Sequence, residues 1–145
     1  MLVPEPPHVL LVEDEPAVAR ALARWLRRNG LHVEVCGSPV IALERVVAGE
    51  RFDVVVCDGQ MPDLDCVAFY VRASASWPGL SSRIIFLSGG VPDDARRFIV
   101  ERGLPFFAKP LAGRAEIEEL IAVIRFLAGS GDPPAPDWRK RHVPR

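Results

Sequence analysis

The chain has 145 residues, 49% of them hydrophobic and 26% charged, enough apolar material for one core and too much for a disordered chain. Its 18 Lys plus Arg against 19 Asp plus Glu give a net charge of −1, which removes the electrostatic case for nucleic acid. No apolar run approaches the roughly 18 residues that would span a membrane.

The first eight residues carry Pro4, Pro6 and Pro7 and no Lys or Arg, unlike a secretory signal, which needs a basic start and a longer apolar stretch. The fold is expected over residues 8–128. Val9-Leu10-Leu11-Val12 is of strand length, and Ala17, Val18, Ala21, Leu22, Trp25 and Leu26 then recur at helical spacing. Arg20, Arg24, Arg27 and Arg28 take the opposite face, and Asn29-Gly30 stops that helix. Leu31 to Cys36 is a second strand, followed by a helix from Ser38 to Ala48 with Ser38 as N-cap and Pro39 in its first turn. Val54-Val55-Val56-Cys57 is the third strand, Val67 to Ala73 a short helix, and Ile84-Ile85-Phe86-Leu87 the fourth strand. Asp93 to Glu101 reads as a helix closed by Gly103, Leu104 to Phe107 as a fifth strand, and Arg114 to Ala128 as the last helix. The tail, residues 129–145, is rich in Pro and basic residues and is expected to be flexible. Cys36, Cys57 and Cys66 lack metal spacing and read as free thiols in a reducing cytoplasm.

Strands that are apolar without alternation are buried on both faces, so this βα alternation implies an α/β protein: a parallel sheet between two layers of helices. Right-handed crossovers favour the doubly wound order 2-1-3-4-5, with a crevice at the carboxyl ends of strands one and three. The residues just after the strands fit that crevice. Strand one runs into Glu13-Asp14-Glu15, strand three into Asp58, strand four into Ser88 and strand five into Lys109. Strand two, on the far side of the switch point, ends in the uncharged Cys36-Gly37.

Each piece has a plainer reading alone. Glu13-Asp14-Glu15-Pro16 suits a helix start, where acids are favoured by the dipole, Asp58-Gly59 suits a turn, and Lys109-Pro110 a loop. Together they describe one chemistry. Three carboxylates in one crevice call for a cation, and a hard divalent ion with open positions (Mg²⁺ or Mn²⁺) suits them. Lys109 adds a point charge and Ser88 a hydroxyl. These are the parts for phosphoryl transfer onto a carboxylate.

Four segments in register, Val9-Leu-Leu-Val-Glu-Asp-Glu-Pro16, Phe52-Asp-Val-Val-Val-Cys-Asp-Gly-Gln-Met-Pro62, Ile84-Ile-Phe-Leu-Ser-Gly-Gly90 and Phe106-Phe-Ala-Lys-Pro110, resemble the receiver domain of two-component response regulators. The resemblance covers residues 8–128 and implies a flavodoxin-like (βα)5 fold; the order 2-1-3-4-5 is itself familiar from that family. It implies that Asp58 accepts a phosphoryl group from the phosphohistidine of a sensor histidine kinase or a histidine phosphotransfer protein. Asp14 would ligate Mg²⁺ directly, Glu13 mainly through water, and the backbone carbonyl of Gln60 would join Asp58 in completing the ligands. Lys109 and Ser88 would hold the phosphoryl group, Ser88 and Phe106 would form the switch, and the bond to Pro110 would be cis. Such a module is not an enzyme beyond its own phosphorylation and dephosphorylation.

Three features depart from the commonest pattern. Cys66 stands where a glycine usually follows the Met61-Pro62 segment, Phe106 lacks the hydroxyl of the commoner tyrosine, and Ser88-Gly89-Gly90 is similar to receivers attached to hybrid sensor kinases. With a tail too short for a DNA-binding module, the chain is expected to be a stand-alone receiver or the receiver of a hybrid histidine kinase. Two other classes stand beside this reading: a pseudo-receiver that only binds partners, and a metal-dependent phosphohydrolase. The filled acceptor, metal, lysine and hydroxyl positions speak against the first. The second would want its nucleophile and its acid two residues apart after strand one; here that spacing falls to Glu13 and Glu15, with the expected metal ligand Asp14 between them, and the expected nucleophile lies on strand three. Ala122, Val123 and Phe126 widen the apolar face of the last helix, which fits a homodimer or downstream-partner face, or equally cover by Trp138 from the tail.

Overall fold

The computed structural model describes residues 5–111, 113–132 and 134–144. Five strands, β1 (His8–Val12), β2 (His32–Cys36), β3 (Val54–Asp58), β4 (Ile84–Ser88) and β5 (Phe106–Ala108), form one sheet in the order β2-β1-β3-β4-β5. Every pairing is parallel: Val9 lies opposite both Val33 and Val54, Asp58 opposite Leu87, and Ser88 opposite Ala108. The chain reverses its direction of winding between β1 and β3, so the carboxyl ends of those two strands flank the crevice expected from the sequence.

The helices are α1 (Pro16–Arg28), α2 (Pro39–Val47), α3 (Cys66–Ser76), α4 (Asp93–Arg102), α5 (Arg114–Leu127) and a short α6 (Trp138–Arg141). Strand alternation sends neighbouring side chains to opposite layers. Leu10, Val12, Val55, Cys57, Ile84, Phe86 and Phe106 pack with Ala42 and Val46 of α2, Phe69 and Ala73 of α3 and Ile99 of α4. On the other side Val9, Leu11, Val54, Val56, Ile85, Leu87 and Phe107 pack with Leu22 and Leu26 of α1 and Leu120, Val123 and Ile124 of α5. Both faces of the central strands are dry, which is why their sequences show no polar alternation. β2 is the exception: an edge strand with exposed His32 and Val35.

Local chemistry sets the helix starts. Ser38 Oγ accepts from the Ile41 amide at 3.2 Å and Asp65 Oδ1 from the Ala68 amide at 2.8 Å, each satisfying one of the free N–H groups of a first turn. Gly103 closes α4 with φ of +62°, the left-handed conformation that glycine adopts without penalty.

Three elements differ from the sequence reading. α3 continues past Ala73 to Ser76, and a 3-10 turn follows over Pro78–Ser82, held by Trp77 and Leu80, both buried. β5 begins at Phe106 rather than Leu104. The segment after α5, for which a flexible tail was expected, folds back on the domain. Trp138 is 5% exposed and joins the layer of Phe107, Leu120, Val123 and Ile124, and Arg139 donates to the Gly103 carbonyl at 2.7 Å. Low average hydrophobicity hid a single aromatic anchor with a matching slot. This is the cover that the sequence offered for Val123, while Ala122 and Phe126, the other residues of that apolar face, remain half-exposed.

Candidate functional site

The acidic turn after β1 and the end of β3 meet at the switch point. Glu13, Asp14 and Asp58 each bring a carboxylate oxygen within 4.8 Å of the others. Glu13 and Asp58 are buried, at 1% and 5% exposure, and Asp14 is more open. The Glu13 amide donates to the Cys36 carbonyl at 3.1 Å, and its side chain accepts from the Glu15 amide at 3.2 Å. Asp58 Oδ1 accepts from the Gln60 amide at 3.0 Å. Both carboxylates are therefore held from their own backbone before any ligand arrives.

Lys109, carried by the loop after β5, reaches across the crevice. Its Nζ lies 2.7 Å from Glu13 Oε2 and 3.1 Å from Asp58 Oδ2. Burial alone would lower the ammonium pKa, but the hydrogen bonds and charges of Glu13 and Asp58 together hold it above the ordinary lysine value. Burial pushes the Glu13 carboxyl up, more than the Lys109 hydrogen bond brings it down, and the nearby Asp58 charge adds to the rise. One ammonium faces three carboxylates, so the cluster retains an excess of negative charge in a poorly solvated place. A hard divalent cation fits such an all-oxygen donor set, and Glu13, Asp14 and Asp58 are the residues that could hold one.

The remaining expected residues lie around this centre. The Lys109–Pro110 bond is cis. Ser88 is buried beside Gly59, the residue after Asp58, and its hydroxyl donates to the Gly90 carbonyl at 2.6 Å. It is thus engaged within its own loop rather than with the carboxylates. The Lys109 amide donates to the Ser88 carbonyl at 2.9 Å, linking the two loops. Phe106 is 2% exposed and borders a cavity with Ser88, Gly90 and Val91. Gln60 is exposed next to Gly90, whose Cβ position would lie 3.4 Å from its side-chain nitrogen.

Sequence reasoning missed Gly59 as a packing position. The Asp58-Gly59 pair signalled a turn, but only the pairing of β3 with β4 brings Ser88 against it. An apolar groove of about 650 Å³, lined by Ala17, Val18, Ala21, Trp25, Pro110 and Ile117, opens beside Lys109 at the same end of the sheet. Among the described residues, no helix is long and apolar enough to cross a membrane.

Comparisons with known proteins agree with this geometry. A family model described as response regulator receiver domain matches residues 9–124. The transcriptional regulatory protein CutR of Streptomyces coelicolor is 33% identical over 139 residues, which are 92% of this chain and 59% of CutR. Sensor kinase CckA of Brucella abortus is 35% identical over 106 residues, 72% of this chain and 11% of the kinase. A crystal structure of the receiver domain of a Pseudomonas aeruginosa PAO1 sensor histidine kinase, with a magnesium ion coordinated in the active site cleft, superposes with a TM-score of 0.70 at 25% identity, covering 86% of this chain and 99% of that one. The chain therefore spans less than two thirds of the length of these curated relatives.

Proposed function

The chain belongs to the response regulator receiver domain family, and from that premise we propose that it is a phospho-accepting receiver in a two-component or phosphorelay pathway, with Asp58 as the acceptor. The single observation that carries the reading is the contact of one ammonium with two buried carboxylates: Lys109 Nζ with Glu13 at 2.7 Å and Asp58 at 3.1 Å.

In this reading a carboxylate oxygen of Asp58 attacks phosphorus, the phosphorus–nitrogen bond of a phosphohistidine breaks, and its electron pair leaves with the imidazole, which takes up a proton. The Gln60 amide fixes the Asp58 carboxylate from below, so little reorganisation precedes attack. Lys109 is already charged and in place, ready to follow the phosphoryl oxygens as negative charge gathers on them. Glu13, Asp14 and Asp58, with the Gln60 carbonyl, would hold Mg²⁺ or Mn²⁺, which when bound supplies charge neutralisation for the incoming phosphoryl group. Ser88 would exchange its Gly90 partner for a phosphoryl oxygen, drawing its loop inward and freeing space for Phe106 to change position.

The donor is a sensor histidine kinase or a histidine phosphotransfer protein in a cytoplasmic pathway. The apolar groove beside Lys109 supports a macromolecular donor, because a small phosphodonor needs no apolar surface of that size. The matches to a sensor kinase and to the receiver domain of a sensor histidine kinase support a place in a hybrid kinase, and the match to CutR a place in a transcriptional regulatory protein.

Incubation with acetyl phosphate and Mg²⁺, followed by intact-mass measurement, tests the proposal. One added phosphoryl mass on the natural chain and none on Asp58→Asn is the expected result. No added mass on the natural chain, or the same mass on the variant, overturns it.

A further inference from the structure

The C-terminal segment is anchored at three places on one edge of the domain. Arg139 donates to the carbonyl of Gly103, the C-cap of α4. Trp138 fills the apolar layer between β5 and α5. Glu119 of α5 accepts a hydrogen bond at Oε2 from Arg141 Nη1 at 2.9 Å, and its Oε1 lies in ion-pair range of Arg141 Nη2 at 2.7 Å and beside His142 Nε2 at 3.1 Å without a hydrogen bond to either. The His142 ring also stacks on Phe107 of β5, with centroids 4.1 Å apart.

The same segment forms one wall of the cavity at the switch residues. That cavity, about 340 Å³, is bounded by Ser88, Gly90, Val91, Phe106 and Ala108 on one side and by Arg141, His142 and Val143 on the other. Movement of the Ser88 loop or the Phe106 ring into this space is movement toward the docked segment. Phe106 and Phe107 are consecutive on a strand of three residues, so a shift of β5 at Phe106 is felt at the ring that His142 covers.

We propose that residues 134–144 are an autoinhibitory strap held in cis against the edge formed by the end of α4, β5 and α5, by one large aromatic and its flanking cations, and that phosphorylation of Asp58 releases them. The last part rests on the phospho-acceptor reading above. A downstream partner that uses this edge competes with the chain's own strap, so the strap sets the threshold for output. Because coupling between two sites is reciprocal, loosening the strap also loosens the Ser88 loop in the unphosphorylated protein.

Hydrogen exchange read by mass spectrometry on the full chain tests both directions. Without phosphodonor, Trp138→Ala is expected to raise exchange by about fivefold or more in residues 134–144 and also in residues 86–91. A rise confined to 134–144 overturns the coupling. Arg141→Ala, which removes the polar anchor and leaves Trp138 in place, repeats this arm should the tryptophan variant be poorly folded. With acetyl phosphate and Mg²⁺, the sample showing full phosphoryl mass is expected to lose protection in 134–144, and Asp58→Asn to keep it. Full phosphorylation with the strap still protected overturns the release. Absence of the phosphoryl mass counts against Asp58 as acceptor and against the phosphorylation-driven release, while the first arm still decides the reciprocal coupling.

Discussion

Gly59 lies so close to Ser88 that a Cβ built on it would sit 2.7 Å from the Ser88 Cβ and 2.8 Å from its Oγ. The Gly59 amide also donates to the Leu87 carbonyl at 3.0 Å. The residue after the proposed phospho-acceptor is thus packed directly on the residue proposed to sense it.

Gly59→Ala would force Ser88 or its loop outward, because a methyl group has no room there. The expected destabilisation is about 1–3 kcal/mol, the usual cost of overpacking, read as a lower midpoint in urea unfolding. Phosphoryl incorporation should fall more than stability does, since the displaced hydroxyl is a proposed phosphoryl ligand. Unchanged unfolding and phosphorylation would show that the contact is soft.

Lys109→Arg should preserve the charge and lose the geometry. The ammonium serves Glu13 and Asp58 as a compact donor, whereas a planar fork fixes its donors in one plane. A drop of about tenfold or more in the rate of phosphorylation, about 1.4 kcal/mol of transition-state stabilisation, is the expected outcome in stopped-flow or mass-based kinetics. A rate equal to that of the natural chain would remove Lys109 from the phosphoryl contacts.

Divalent cations should stabilise the fold. At a concentration one hundred times its Kd, a ligand that binds only the native state adds about 2.7 kcal/mol. Thermal denaturation should therefore shift upward on adding MgCl2 to the natural chain, and Asp14→Asn should abolish most of that shift. EDTA should return the natural chain to its metal-free melting point. A shift retained in Asp14→Asn would place the ion elsewhere.

The thiols should be silent until the protein unfolds. Burial pushes the Cys66 thiol up to about 11, and burial raises the Cys57 thiol well above its ordinary value. At pH 8 roughly one Cys66 in a thousand is then thiolate. The Cys36 thiol is buried, with Sγ 3.2 Å from the Ser38 carbonyl. Titration with a disulfide reagent should count three thiols in denaturant and almost none in native buffer on the scale of minutes. Rapid native labelling at Cys66 would contradict the packing at the start of α3.

The two side-chain caps give a fifth set of outcomes. Ser38→Ala and Asp65→Ala should each cost about 0.5–2 kcal/mol. Glu15→Ala should cost little, because Glu15 stands at the N-cap of α1 without a side-chain cap bond. Chemical denaturation of the three variants side by side makes the comparison.

Much of this was readable from residue order. Uninterrupted runs such as Val54 to Cys57 announced strands with two dry faces, and the polar residue ending each run marked one rim of the sheet. Glu13, Asp14, Asp58 and Lys109 were found this way because topology alone gathers strand ends. The position of the Ser88 hydroxyl was not legible, since its bond to Gly90 is a choice of rotamer within a loop. Nor was the squeeze at Gly59, which arises from strands brought together across 29 intervening sequence steps. The docked tail was hidden for a different reason. Trp138 is surrounded in sequence by prolines and basic residues, and its slot is built from Phe107, Leu120 and Ile124, which lie far away along the chain.

One consequence follows from the brevity of β5, whose Phe106 and Phe107 face opposite layers. As the sheet's outermost member on that side, it is bonded to β4 alone. A small roll about its own axis swings one ring outward as the other swings inward, like the two arms of a rocker. A motion of Phe106 in one layer is thus handed through a single peptide unit to Phe107 in the other, at the one paired side of a three-residue strand.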